Sequence, residues 1–217
     1  LYDKLTRMLC LTCIALLSNQ PARDPAPPTW PQTFSAAFVE NIGLAPNVSN
    51  HGAWFYDDPN RRSRFDHGAG QLNNFCACAD NTTNAACSLF FPPSGALWAH
   101  FPDSGSCCRV CEPGLGCSTL KPDWLATNSS FVGEERHGGL DCLTWEKQGA
   151  VATDVWSQTA AGRACQYREH FTFGPPQGVW HFLNFSEWST LPPDPALFEL
   201  PSSCLHDCPR TFGKTCG

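Results

Sequence analysis

Residues 121–145 read KPDWLATNSSFVGEERHGGLDCLTW, and this stretch sets the fold class. Pro122 fixes φ and Asp123 caps the N–H groups of a short turn, which aims Trp124 and Leu125 inward together. The apolar run Phe131-Val132 stops at Gly133. Gly138-Gly139 then makes a tight turn, with Cys142 and Trp145 on the returning segment. One covalent anchor and two indoles so close together predict the lid or corner of a β-rich core.

The flanking sequence extends the pattern. Trp30-Pro31-Gln32-Thr33-Phe34 and Trp54-Phe55-Tyr56-Asp57-Asp58 lie upstream; Leu197-Phe198-Glu199-Leu200-Pro201 and then Cys204 lie downstream. Together with PDWL, FVG and CLTW, this ordered set resembles the ependymin-related family, especially its plant and algal branch, over residues 30–204. The resemblance implies a secreted glycoprotein that is all-β with minor helix. It also implies two stacked antiparallel sheets in an open half-barrel or sandwich, similar to the bacterial lipoprotein carriers, with an apolar pocket between the sheets. It further implies that Cys204 ties to an upstream strand and that Cys142 bridges to the cysteine-dense loop at 102–118. Ependymins are regarded as calcium-binding, which places a weak calcium candidate at Asp57, Asp58 and Asp66.

Composition bounds the rest. A chain of 217 residues with 42% apolar content fits one β domain with extensions and fills a real core. Its 14 cysteines (10, 13, 76, 78, 87, 107, 108, 111, 117, 142, 165, 204, 208 and 216) are therefore read as disulfides that supplement packing. Sequons at Asn47, Asn81, Asn128 and Asn184 point with them to an oxidising, extracellular setting and N-linked glycans. A net charge of −6 leaves no footprint for nucleic acid or anionic lipid.

Residues 1–20 carry Lys4 and Arg7 before an apolar run at 8–17. Ten residues make about 15 Å of helix against the roughly 30 Å of a bilayer core, so no transmembrane span is expected. The run is read as a retained assembly element, with a cleaved signal peptide as the alternative. Residues 21–33 form a proline-rich linker, 34–204 the β domain and 205–217 a cysteine-containing tail. Within the domain, Phe34, Ala36, Phe38 and Glu40 share one strand face. Residues 53–56 and 62–67 form a hairpin, and strands are expected at 71–78, 89–91, 96–101, 151–158, 164–173 and 179–188. Along the last, Trp180 and Phe182 face opposite to His181, Leu183 and Phe185. Residues 102–118 are expected to fold only by cross-linking.

Three chemistries compete. Cys108-x2-Cys111 and Cys10-x2-Cys13 have zinc-like spacing, but reduced thiolates contradict the sequons, so disulfides are preferred. Adjacent Cys107 and Cys108 take different partners, because a bond between neighbours is strained. The seven histidines are scattered and fall in neither HExxH nor GxSxG, so no enzyme is expected. Asp57, Asp58, Asp66 and His67 cluster in sequence, and a solvated turn paired with Arg61, Arg62 and Arg64 is preferred to an acid–base pair or calcium. No other cofactor is expected. Trp98, Trp156, Phe171, Phe173, Trp180, Phe182 and Trp188 line a cavity or pack as ordinary core. The leading expectation is a non-enzymatic block of matrix or filament. It self-associates head-to-tail through residues 8–17, locked by Cys10, Cys13, Cys208 and Cys216. The alternative is a soluble carrier of a hydrophobic, lipid-like ligand.

Overall fold

Strand alternation builds the core. The computed structural model describes residues 24–43, 45–149, 152–171 and 180–216. In β1 (Thr33–Ile42), Phe34, Ala36, Phe38 and Glu40 are all buried on one face. The chain continues through β2 (Ala45–Asp57), β3 (Arg62–His67), α1 (Asn74–Ala79), β4 (Cys87–Phe91), β5 (Leu97–Phe101) and β6 (Ser106–Cys111). A second meander follows: β7 (Ser129–His137), β8 (Leu140–Gln148), β9 (Ala152–Gln158), β10 (Ala164–Phe171) and β11 (Trp180–Ser189). The fold is all-β, antiparallel, open and disulfide-rich. Its strands form one continuous sheet rather than two, ordered β6-β5-β4-β3-β2-β1-β11-β10-β9-β8-β7, because β1 pairs with both β2 and β11.

That sheet curls. Trp54 on β2 and Trp156 on β9 stand four places apart in the strand order, which is roughly 19 Å across a flat sheet. Their ring centroids are 6.4 Å apart. The connection from β6 to β7 crosses the concave side. Trp124 and Leu125 are buried there, so the turn begun by Pro122 and Asp123 plugs the concavity as its sequence predicts.

Residues 24–32 do more than link. Trp30 is 2% exposed, and its ring lies 4.6 Å from Trp156, 5.3 Å from Trp54 and 5.4 Å from Trp124. Its backbone N–H donates to the Pro122 carbonyl at 2.9 Å, and the Trp145 indole donates to the Pro25 carbonyl at 3.4 Å. The proline-rich segment thus runs over the surface but inserts Trp30 into the main core.

Two further segments differ from the sequence reading. Residues 71–78 are not a strand; a one-turn 3-10 helix at Gly70–Leu72 leads into α1. Asn73 Oδ1 accepts from the N–H groups of Phe75 and Cys76 at 3.0 and 3.2 Å, an N-cap that outweighs the β-like run. Residues 102–118 are not all loop, since β6 pairs with β5 and buries Cys107, Cys108, Val110 and Cys111. Half-cystines act there as the apolar residues of a strand.

Six disulfides occur among the described residues: Cys76–Cys87, Cys78–Cys216, Cys107–Cys204, Cys108–Cys208, Cys111–Cys117 and Cys142–Cys165. Such density fits an oxidising compartment. Cys107 and Cys108 take different partners. Cys204 joins β6, whereas Cys142 bonds Cys165 and not the 102–118 segment. A register shift between Ala164 and Gln166 explains this, because a bulged residue is re-aimed out of the ladder, here toward β8. The tail at 205–216 belongs to the domain. Arg109 donates its N–H to the His206 carbonyl and Phe212 donates to Val110, so the tail covers the β6 edge.

Gly52 permits one close approach. It stands opposite Phe38 on β1 and His67 on β3. A Cβ there would lie 2.3 Å from both the Phe38 ring and the Asp66 carbonyl oxygen. Gly52→Ala is expected to destabilise the fold by about 1–3 kcal/mol, the usual cost of overpacking. A lowered urea midpoint checks this.

Candidate functional site

The concave face holds a cleft of about 330 Å³, at the lower end of the range for small-molecule sites. One wall is Trp54, Phe65, Leu89 and Phe91 from β2–β4. The other is Ala152, Tyr167 and Leu183 from β9–β11, while Phe75 of α1, Leu115, Leu120 and Phe212 close over it. A wider surface groove of about 640 Å³ runs between Asp58, Arg61, Pro92 and Lys121, but its walls are mainly polar and proline. The apolar cleft is the better ligand site.

One end of the cleft is ionic. Glu40 is fully buried, and its Oε2 lies 3.0 Å from His67 Nδ1 and accepts from Asn50 Nδ2 at 2.8 Å. Its Oε1 lies 2.6 Å from His181 Nε2, and the other His181 nitrogen, Nδ1, lies 3.3 Å from Glu169 Oε1. With a carboxylate on each nitrogen, His181 holds both protons. Burial pushes its pKa down, but hydrogen bonds and charge from Glu169 and Glu40 prevail and raise it to about 9. Burial pushes Glu40 upward; the hydrogen bonds and charges of the two imidazoles outweigh it and hold the carboxyl well below its usual range. Asp154 accepts from the Tyr167 hydroxyl at 2.7 Å. Burial, helped by the charge of Glu169, raises Asp154 to about 6.

The structure separates the sequence candidates. None of the described Trp98, Trp156, Trp180, Phe182 and Trp188 lines the cleft. Trp156 packs on Trp30 and Trp188 stacks on Phe34 at 4.6 Å, both as core. Trp98 and Trp180 instead sit beneath the guanidinium groups of Arg109 and Arg168. Phe182 shares Trp180's face of β11. The Phe171 side chain and Phe173 lie outside the described residues, as do residues 1–20 with Cys10 and Cys13.

Neighbours on β3 point to opposite faces, which splits the acidic cluster. Asp57 is held by Arg62 at 2.7 Å and Asp66 by Arg64 at 2.7 Å, while His67 turns inward to Glu40. Asp57, Asp58 and Asp66 do not converge, and among the described residues no group of three His, Cys, Asp or Glu is placed to hold a metal. Asn47, Asn81 and Asn128 are exposed. Asn184 is engaged: its Nδ2 donates to Asn41 Oδ1 and its Oδ1 accepts from Gln166. Sequence reasoning missed Glu40 as a site residue, and with it His181, Glu169 and Asp154. A charged residue closing an otherwise apolar strand face was the available signal.

Fold and site together define a curled single-sheet shell around an apolar cleft with an ionic end. Neither a protein-family model nor a curated protein matches the sequence, so no family match supports the ependymin resemblance. Solved structures of similar shape include an uncharacterised conserved protein from Thermus thermophilus, at 9% identity and TM-score 0.49, covering 81% of this chain and 90% of that one. A LolA-superfamily protein from Nitrosomonas europaea has 10% identity and TM-score 0.37, covering 79% and 92%. The MucA/MucB complex of Pseudomonas aeruginosa has 11% identity and TM-score 0.42, covering 80% of this chain and 57% of that one. At these values they say nothing about function.

Proposed function

We propose that this protein is a non-enzymatic, secreted binder of a hydrophobic small molecule held in the concave cleft. The observation that carries the reading is the cleft itself: two aromatic and aliphatic walls from opposite halves of one curled sheet, meeting an ionic end. The ionic cluster suits anchoring better than catalysis. Glu40 is sealed and too weak a base, and His181 has both nitrogens occupied and is too weak an acid at neutral pH. Exposed sequons and the disulfides support secretion. Assembly into a filament keeps less support, because Cys208 and Cys216 are already bonded within the chain to Cys108 and Cys78.

Calorimetric titration with a neutral long-chain alcohol, dodecanol, tests the reading. Saturable binding with a negative heat-capacity change is expected, as apolar burial requires. Phe91→Arg, which puts a charge on the half-buried wall, should weaken it at least tenfold. Absence of saturable binding overturns the proposal.

A further inference from the structure

We infer that the ionic end of the cleft receives a cationic head group, so that the ligand is a long-chain amphiphilic amine and not a fatty acid or a phosphate ester. This rests on the binding reading above and names the ligand class.

Four observations carry it. Asp154 and Glu169 stand directly opposite one another on β9 and β10, and both line the cleft. Like charges so paired are destabilising unless something lies between or beside them. His181 contributes one positive charge, but it is shared between Glu40 and Glu169. Lys147 pairs with Asp154 across β8 and β9, yet it donates to the Trp124 carbonyl and does not line the cleft. No lysine or arginine lines the cleft at all among the described residues. Two carboxylates thus line this end with no lysine or arginine in the same wall, and a carboxylate or phosphate ligand would add to their like charge.

His67 points the same way. Its side chain is 1% exposed and lines the cleft, and its Nε2 has no hydrogen-bond partner. With Nδ1 engaged by Glu40, Nε2 is left as a buried ring nitrogen that faces the cleft without a partner. The unpartnered indole N–H groups of Trp30, Trp54 and Trp124 sit edge-on among aromatic rings, where N–H to π contact is a weak substitute. An alkylammonium supplies what the ionic end lacks: charge, N–H donors and a chain for the apolar walls. Its N–H donors match the Glu169 and Asp154 carboxylates that stand opposite one another in the cleft.

The experiment compares dodecylamine, dodecanol and dodecanoate by calorimetry on delipidated full chain at pH 7.5, below their aggregation concentrations. The amine is expected to bind at least tenfold tighter than the alcohol, and the carboxylate weakest. Glu169→Gln should cut amine affinity at least tenfold more than alcohol affinity. Asp154→Asn, which keeps an acceptor for Tyr167, provides the same readout should the first variant not fold by circular dichroism. Equal binding of amine and alcohol, tighter binding of dodecanoate, or an amine preference untouched by both variants overturns the head-group assignment while the cleft-binding reading stands. Failure of all three probes to bind overturns that reading as well.

Discussion

Glu40→Ala is expected to cost about 3–5 kcal/mol of stability, because removing one partner strands the buried His181 charge with only Glu169 beside it. The loss has a definite pH dependence. Glu40 is depressed from 4.5, so its contribution is complete above that value and shrinks as pH falls below it. His181 is raised from 6.5 to about 9, so its contribution is complete below 6.5 and disappears as pH climbs through 9. The difference between wild type and variant should therefore peak between pH 4.5 and 6.5 and narrow on both sides. Taking the difference cancels Asp154, which titrates in both proteins. Urea denaturation from pH 3 to pH 10 measures it, and a flat difference would show that the cluster is not ionised as drawn.

Trp30→Ala should be comparably damaging, at about 3–5 kcal/mol. The indole touches Phe34, Trp54, Tyr56, Trp124 and Trp156, drawn from β1, β2, β9 and the crossing connection. No neighbour can collapse into the space without giving up another of these contacts. For a domain of this size the loss amounts to a fall in melting temperature on the order of 10 °C, read by far-ultraviolet circular dichroism. A fall of only a few degrees would mean that residues 24–32 are a dispensable strap.

Local pattern made much of the fold legible. Alternation along β1 put Phe34, Ala36, Phe38 and Glu40 on one face, and the turn at Pro122-Asp123 buried Trp124 and Leu125. The site was not legible, because its bonds join residues far apart in sequence. Glu40 meets His67 across 27 residues and His181 across 141, and only the register of β1 with β11 brings the latter together. The misplaced aromatic wall has a different cause. β11 is apolar on both faces, and composition does not say which face is concave. Arginine stems covering Trp98 and Trp180 let aromatic residues sit on the outer surface without forming a pocket. Helix α1 was hidden by its half-cystines, which read as strand until the Asn73 cap is seen.

The segment at 204–216 is fastened at both ends and in the middle, to Cys107, Cys108 and Cys78. A protease that nicks this ribbon therefore releases nothing: both fragments stay moored to the shell, and the molecule keeps its mass until a reductant is added. Wear at this border would go unnoticed by sizing alone, and damage would surface only where thiols are free to exchange.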